Sequence, residues 1–378
     1  MKIAIFARDP RVFGGGERYA IAVASELMRN GNEVKMYYYV KGQELRINTS
    51  ELKQILKVDA ASFSALKIGG ERLFITPSAV RSLLEIKNFD VVYGTNSGVT
   101  INFFLTTFCK LFKKPYILKI TDMSLFSPSK FKKYPEMKID TFGMIRHHVI
   151  NNIGAIQVPN RDMEELLKKE GYRGNVYQIP NFVDRTKPQK IICNKNKFIV
   201  LYVGRLSSYV KGLDMLENIV EMVMLKNKKI LFHFVGSKGD GEERIRNLLK
   251  KYPKNIKWSN FLYDADLDNA YSQSNLFVFA SRHETFGQSL LEAQQNGLPA
   301  IAFKVGGPSE IIKSKIQGRL IEPFDTKAFS QAILENFVQW ESNKSKYEIR
   351  KHKISRITYA RYGKKVIVPK IMKMFENR

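Results

Sequence analysis

The chain has 378 residues, 44% of them hydrophobic, with 62 Lys and Arg against 36 Asp and Glu, for a formal net charge of +26. That length is too great for one ordinary core and predicts two domains, the hydrophobic content excludes a disordered chain, and no run approaches the roughly eighteen apolar residues of a membrane-spanning helix. The charge favours polyanions, either nucleic acid or an anionic lipid surface, while Cys109 and Cys193 show neither metal spacing nor a disulfide framework, which predicts a reducing, cytoplasmic setting.

Met1-Lys2 leads straight into a short apolar strand ending at Phe6, so no cleaved leader is expected. Gly14-Gly15-Gly16 follows, then a segment carrying Ala20, Val23, Ala24, Leu27 and Met28 at helical spacing. Strand, glycine loop and helix in that order form a phosphate-binding first unit. The loop lacks both the Gly-Lys-Ser/Thr of a Walker motif and the spaced glycines of the dinucleotide fingerprint, and a triple glycine by itself also fits a flexible turn. Strand and helix signals then alternate: Glu33–Val40 and Asp90–Tyr93 as strands, Thr100–Phe112 as helix, Pro115–Ile120 as strand. A polar, basic loop runs from Thr121 to Tyr134. Ala155–Val158 returns as strand, Arg161–Glu170 as a helix stopped by Gly171, and Val176–Ile179 as a last strand, completing a doubly wound α/β half. Pro180–Asp184 reads as the exit from this half, and the polar stretch Arg185–Lys197 as a linker.

The second half opens with the strand Phe198–Val203, then Gly204-Arg205-Leu206, with Lys211-Gly212-Leu213 at the start of an apolar-periodic helix. A lysine point charge and a planar arginine fork suit the oxygens of a diphosphate, although either alone would also serve as surface charge. Ile230–Val235 and Asn255–Trp258 are further strands, and Leu276–Ala280 is a buried parallel one. After it, Ser281 to Gly287 form a loop, and Leu290, Leu291 and Ala293 share a helix side that ends at Asn296-Gly297. The N–H groups near Phe286, Gly287 and Gln288 then stand at a helix N-terminus, where the dipole favours an anion such as phosphate. Glu284 lies on the loop and Glu292 about one and a half turns into the helix, which suits an elongated ligand with a diphosphate in its middle; the alternative is that Glu284 only complements the helix end and Glu292 is solvated. Tyr347–Phe375 has helical patterning interrupted at Pro369, and residues 344–378 hold twelve basic and two acidic residues, 12 − 2 = +10.

Glu284-Thr285-Phe286-Gly287 through Glu292-Ala293, Gly297-Leu298-Pro299 and Gly306-Gly307-Pro308-Ser309-Glu310-Ile311 resemble the donor-binding core of nucleotide-sugar glycosyltransferases of the GT-B type, specifically the large retaining family four, glycosyl transferases group 1. The likeness runs over nearly the whole chain, densest from Phe198 to about Asp325. It implies an α/β fold of two Rossmann-like doubly wound domains facing each other across a cleft. Residues 1–184 would bind the acceptor, 185–197 link, 198–346 bind the donor, and 347–378 form a helical segment crossing back to the first domain. It implies Arg205, Lys211 and Glu284 as catalytic residues, the first two on the leaving diphosphate and Glu284 on sugar hydroxyls. Gly15, Gly16, Gly204, Phe286, Gly287, Gln288 and Glu292 would bind the donor, Glu292 through the ribose. No cofactor and no metal are called for beyond a UDP- or GDP-linked sugar, since fixed cations neutralise the diphosphate and no Asp-x-Asp stretch is suitably placed. The resemblance also implies same-face attack, with the departing phosphate oxygen taking the acceptor proton; no residue offers itself as a covalent nucleophile.

Two departures stand out. Phe182 replaces a glycine of the family, and Thr121-Asp122 stands where many relatives carry His-Asp, with the histidine near the reacting carbon. Thr121 can hydrogen-bond but cannot be a cation. Either another group takes over, His147 and His148 being candidates, or the contact is dispensable; the resemblance implies Thr121 and Asp122 as site members by position only. The expected partners are a nucleotide sugar, a glycan or lipid-linked acceptor and an anionic membrane surface met by the aromatic and basic loop 126–134, with the protein peripheral on the inner face. Two other readings stay open: a GT-B relative such as an epimerase or phosphorylase, separated by whether diphosphate is released only with acceptor, and a non-catalytic polyanion-binding protein. Against nucleic acid as partner, no helix-turn-helix, zinc-finger or RNP signature occurs.

Overall fold

A computed structural model describes residues 1–8, 15–39, 59–63, 66–68, 71–73, 75–95, 98–121, 143–183, 191, 194–236, 239–262 and 264–377. The chain divides into two compact units, the first Met1–Phe182 with Ile367–Arg378, the second Val183–Val366. The expected linker at 185–197 falls largely outside the described residues.

In unit one a seven-stranded parallel sheet is built from β1 (Lys2–Arg8), β2 (Glu33–Tyr39), β3 (Asp59–Phe63), β6 (Val91–Gly94), β7 (Tyr116–Lys119), β8 (Ala155–Val158) and β9 (Asn175–Gln178), in the order β3-β2-β1-β6-β7-β8-β9. Two short strands, β4 (Leu66–Ile68) and β5 (Glu71–Leu73), pair antiparallel. Both faces of the main sheet are covered, so its central strands read as apolar runs rather than alternating ones. On one face Ile3, Ile5, Tyr38, Tyr93 and Ile117 pack with Ala20, Val23 and Leu27 of α1 (Gly15–Arg29). On the other, Phe6, Tyr37, Val92 and Leu118 pack under α2 (Pro77–Leu84), α3 (Val99–Leu111) and α4 (Gly143–Asn152) through Leu83, Leu105 and Val149. Local signals set the helix starts: Thr76 Oγ1 accepts from the Ala79 N–H at 3.2 Å ahead of Pro77, and Asn160 Oδ1 from Met163 at 3.0 Å at the start of α5 (Arg161–Lys169).

Unit two repeats the plan with β10 (Phe198–Val203), β11 (Ile230–Val235), β12 (Ile256–Ser259), β13 (Leu276–Phe279), β14 (Ala300–Phe303) and β15 (Gly318–Ile321), ordered β12-β11-β10-β13-β14-β15 and parallel throughout. One face is covered by α6 (Leu213–Lys226), α7 (Glu242–Lys251) and α11 (Thr326–Ser342). Beneath the other lie α8 (Asp264–Gln273), α9 (Gln288–Gln295), α10 (Gly306–Ile311) and the end of α12 (Lys344–Tyr362).

The carboxy-terminal segment departs from the expectation of one helical stretch broken at Pro369. It breaks at Gly363, whose extended backbone bridges to Val183, and a Cβ there would stand 2.5 Å from the Tyr359 carbonyl oxygen. Pro369 instead lies inside α13 (Lys364–Glu376), where burial of Ile367, Ile371, Met374 and Phe375 against the unit-one sheet outweighs one lost helical hydrogen bond. Residues 347–366 therefore belong to unit two and only Ile367 onward to unit one.

Candidate functional site

Strand order in unit two reverses at β10, with β11 on one side and β13 on the other. In an open parallel sheet, a crevice opens outside the carboxyl ends of the two strands at such a point. The loops that leave β10 and β13 there carry most of the residues singled out in the sequence.

From β10 the chain turns at Gly204, whose N–H bonds to the Val235 carbonyl at 3.0 Å. Tyr202 donates its hydroxyl to the Arg205 carbonyl at 2.8 Å, and burial, then the charge of Glu284, pushes that phenol far above its ordinary range, so it stays a donor. The Arg205 side chain is exposed and has no ion pair among the described residues. Gly212 sits in the left-handed region at φ 67°, and a Cβ there would lie 2.0 Å from the Ala280 carbonyl oxygen, so only glycine lets the two loops approach. Just before it, Lys211 Nζ donates to Glu284 Oε2 at 2.6 Å and stands 5.7 Å from the centre of the Phe279 ring. The side chains are only 21% and 18% exposed, which keeps this pair from being a screened surface contact.

From β13 the loop runs through Glu284 to Gly287, which caps α9 in the left-handed region at φ 97°. The backbone behind it is locked: the Gly307 N–H bonds to the Glu284 carbonyl at 3.0 Å, and a Cβ on Gly307 would fall 2.1 Å from the Phe286 carbonyl oxygen. Phe286 is a donor-binding candidate only through its backbone, because its ring is buried against Tyr362 at 5.9 Å. Gln288 opens α9, and Glu292 is held on its outer side by the Tyr271 hydroxyl at 3.0 Å and the Gln288 side-chain amide at 3.4 Å. Glu284 and Glu292 thus have different partners and face different neighbours, as an elongated ligand requires. A lysine, an exposed arginine and a helix start gather at the strand ends, an arrangement that can receive an anion, with two carboxylates placed to accept from hydroxyls.

In unit one, Gly15 and Gly16 open α1, and a Cβ on Gly16 would stand 3.5 Å from Thr121 Cγ2, so these candidates meet at the carboxyl end of β7. Asp122 and the loop 126–134 lie outside the described residues. Neither histidine substitutes for the missing one at Thr121. His148 packs its ring 5.4 Å from Phe103 and meets Thr107 Oγ1 at 3.4 Å, on the sheet face opposite α1, and His147 is exposed on the same helix. Phe182 is buried with its ring 5.6 Å from that of Tyr19, a core role that explains a large residue in place of glycine.

Three features escaped the sequence reading. Tyr271 orients Glu292 from twenty-one residues upstream. Arg282 bonds to Asp214. Lys119, two residues before Thr121 in the chain, is buried with its ammonium 4.9 Å from the Tyr19 ring centre and no hydrogen-bond partner among the described residues; burial pushes it down to about 7. Its neighbour across the sheet, Gln157, is committed to Tyr19, Tyr93 and the Ile179 carbonyl. A lysine at the end of an apolar strand gives no sign in the sequence that its head will be covered by a helix.

Residues 183–352, all within unit two, match the family model described as Glycosyl transferases group 1. Among curated proteins, the chain is 30% identical over 146 residues to spore coat protein SA of Bacillus subtilis, covering 36% of this chain and 38% of that one. It is 29% identical over 167 residues to a poly(ribitol-phosphate) α-N-acetylglucosaminyltransferase of Staphylococcus aureus, covering 43% and 32%. A GDP-mannose-dependent α-mannosyltransferase of Corynebacterium glutamicum is 31% identical over 144 residues, 37% and 31% of the two chains. The matched stretches thus span well under half of these relatives. Among solved structures, Anabaena HepE in complex with UDP-glucose superposes with a TM-score of 0.77 at 17% identity over 100% of both chains. Sucrose-phosphate synthase of Thermosynechococcus elongatus does so at 0.78 and 19%, covering 100% of this chain and 98% of that one. The fold is that of GT-B glycosyltransferases, two parallel-sheet Rossmann-like domains.

Proposed function

We propose that the chain is a retaining glycosyltransferase that moves a sugar from a UDP- or GDP-linked donor to a glycan or lipid-linked acceptor. The observation that carries this reading is the Lys211–Glu284 pair at 2.6 Å beside the start of α9, at the strand-order reversal of unit two. The family match over the same unit supports it, and so does the likeness to enzymes whose names specify GDP-mannose or an N-acetylglucosaminyl product.

In the transfer, the bond between the anomeric carbon and the diphosphate oxygen breaks and its electron pair stays on the diphosphate. Arg205, Lys211 and the N–H groups of Phe286 and Gly287 stabilise that charge, a term worth several kcal/mol in preorganised sites. Glu284, released from Lys211 as the lysine turns to phosphate, accepts from sugar hydroxyls, and Glu292, held by Tyr271, accepts from the ribose. The acceptor oxygen bonds to the same face of the carbon, and its proton passes to the departing phosphate oxygen.

The test is to incubate the chain with UDP-glucose, UDP-N-acetylglucosamine and GDP-mannose, with and without bacterial envelope glycolipid, and follow nucleoside diphosphate release and product anomer by NMR. Release from one donor, raised by acceptor and yielding an α-linked product, is expected. Release independent of acceptor, isomerised donor, or a β-linked product from an α-linked donor would replace the reading.

A further inference from the structure

Lys211 does not stand at the site unaided. The loop that carries it is tied to the end of β13 at two places on either side of it. On one side, the Arg282 N–H bonds to the Val210 carbonyl at 3.1 Å, and the Arg282 guanidinium donates to the Tyr209 carbonyl at 2.8 Å and lies 4.6 Å from the Tyr209 ring centre. On the other, Gly212 presses on the Ala280 carbonyl, and the same guanidinium grips the carboxylate of Asp214, in the first turn of α6, with both terminal nitrogens at 2.7 and 2.6 Å. The Arg282 side chain is 14% exposed, and its charge and hydrogen bonds outweigh the desolvation of Asp214 and hold that carboxyl below its ordinary value.

We infer that Arg282 is a positioning residue for the transfer proposed above: by fixing Tyr209, Val210 and Asp214 to the end of β13 it sets where the Lys211 ammonium meets the departing diphosphate. The inference rests on that functional reading. Arg282 does not itself serve as a ligand cation, because both terminal nitrogens are already committed to Asp214 and one also to Tyr209. The task requires arginine, since a rigid planar fork grips a carboxylate and a carbonyl together while a lysine ammonium offers a single point charge. Lys211 has a long flexible stem, so the placement of its backbone governs the reach of its head, and a misplacement of about 1 Å at a reacting centre costs on the order of a hundredfold in rate.

The experiment uses the full chain with whichever of UDP-glucose, UDP-N-acetylglucosamine or GDP-mannose it cleaves, water or acceptor taking the sugar. Arg282→Gln is expected to lower kcat on the order of tenfold to a hundredfold, with Arg282→Lys recovering only part and Asp214→Asn matching Arg282→Gln. In a Lys211→Ala background, Arg282→Gln should cost less than about twofold further, because the two residues act through one placement. Should Arg282→Gln fail to fold, Arg282→Lys and Asp214→Asn carry the same comparison. A structural role alone would leave kcat per folded molecule intact, or cost the same factor with and without Lys211; either result overturns the inference. A wild type that cleaves none of the donors removes the functional reading and this inference with it, whereas an active wild type with a fully active, folded Arg282→Gln removes this inference alone.

Discussion

The ammonium of Lys211 and the carboxylate of Glu284 pair with each other in this structure, and the transfer proposed above requires each to change partner. Replacing Lys211 or Arg205 by Ala should slow turnover on the order of a hundredfold, as loss of one transition-state donor does; near-normal turnover in both variants would take them out of the site. The two glutamates separate by ligand. Calorimetry with free UDP or GDP should register Glu292→Ala as weaker, and Tyr271→Phe as a smaller loss in the same direction, since the phenol holds that carboxylate. Glu284→Ala should weaken only the intact donor, and the reverse pattern would exchange the two assignments. Arg205, Lys211, Glu284 and Glu292 stand beside glycine turns in the sequence, and the family resemblance singled them out there. Tyr271 and Arg282 were not, because what they do depends on partners twenty-one and sixty-eight positions away.

At the scale of elements, β7 carries an unusual load. Its last residue, Lys119, has its head beneath α1, and the lowered value means that above about 7 the folded chain holds the amine uncharged while the unfolded chain keeps the proton up to its ordinary range. Stability therefore rises with pH across that window, and the penalty is greatest below it. Lys119→Met should stabilise unit one by on the order of a few kcal/mol at pH 6, with the gain shrinking towards pH 10. Urea titrations of the two proteins at several pH values decide it; a difference that does not vary with pH would mean that the amine finds a charged partner. The terminal helix α13 makes a second case. Phe375 is fully buried with its ring 5.3 Å from that of Tyr93, so Phe375→Ala should cost roughly 3–5 kcal/mol of unit-one stability. An unchanged unfolding midpoint would show the helix to be a dispensable appendage.

For the molecule as a whole, the net charge of +26 is the property that no single contact accounts for. Among the described residues no helix is long and apolar enough to cross a membrane. The expectation of an anionic membrane surface at the loop 126–134 becomes a proposal about where the acceptor is presented, with each lysine near an anionic leaflet contributing about 1 kcal/mol. Sedimentation with liposomes tests it. Binding should need anionic lipid, weaken with salt over the range that screens charge, and drop when Lys130, Lys132 and Lys133 are replaced by Ser. Absent or salt-insensitive binding would favour an acceptor free in solution.

The sequence by itself determined most strands of the two parallel sheets, though not β3, β14 or β15, and the glycine turns of the second half, because each follows from short-range rules: apolar runs for strands covered on both faces and left-handed glycines for helix ends. Helix breaks were less secure. Pro369 is the stronger local signal, yet the break falls at Gly363, where close approach to the Tyr359 carbonyl and pairing with Val183 decide the backbone. Only the tertiary structure decided that the Phe286 ring is buried against Tyr362, that His148 lies on the sheet face opposite α1, and that Lys119 is covered. Each of these depends on which distant element lies over a side chain, and a parallel sheet reaches its neighbours only through crossovers long enough to hide that partner from any local window of sequence.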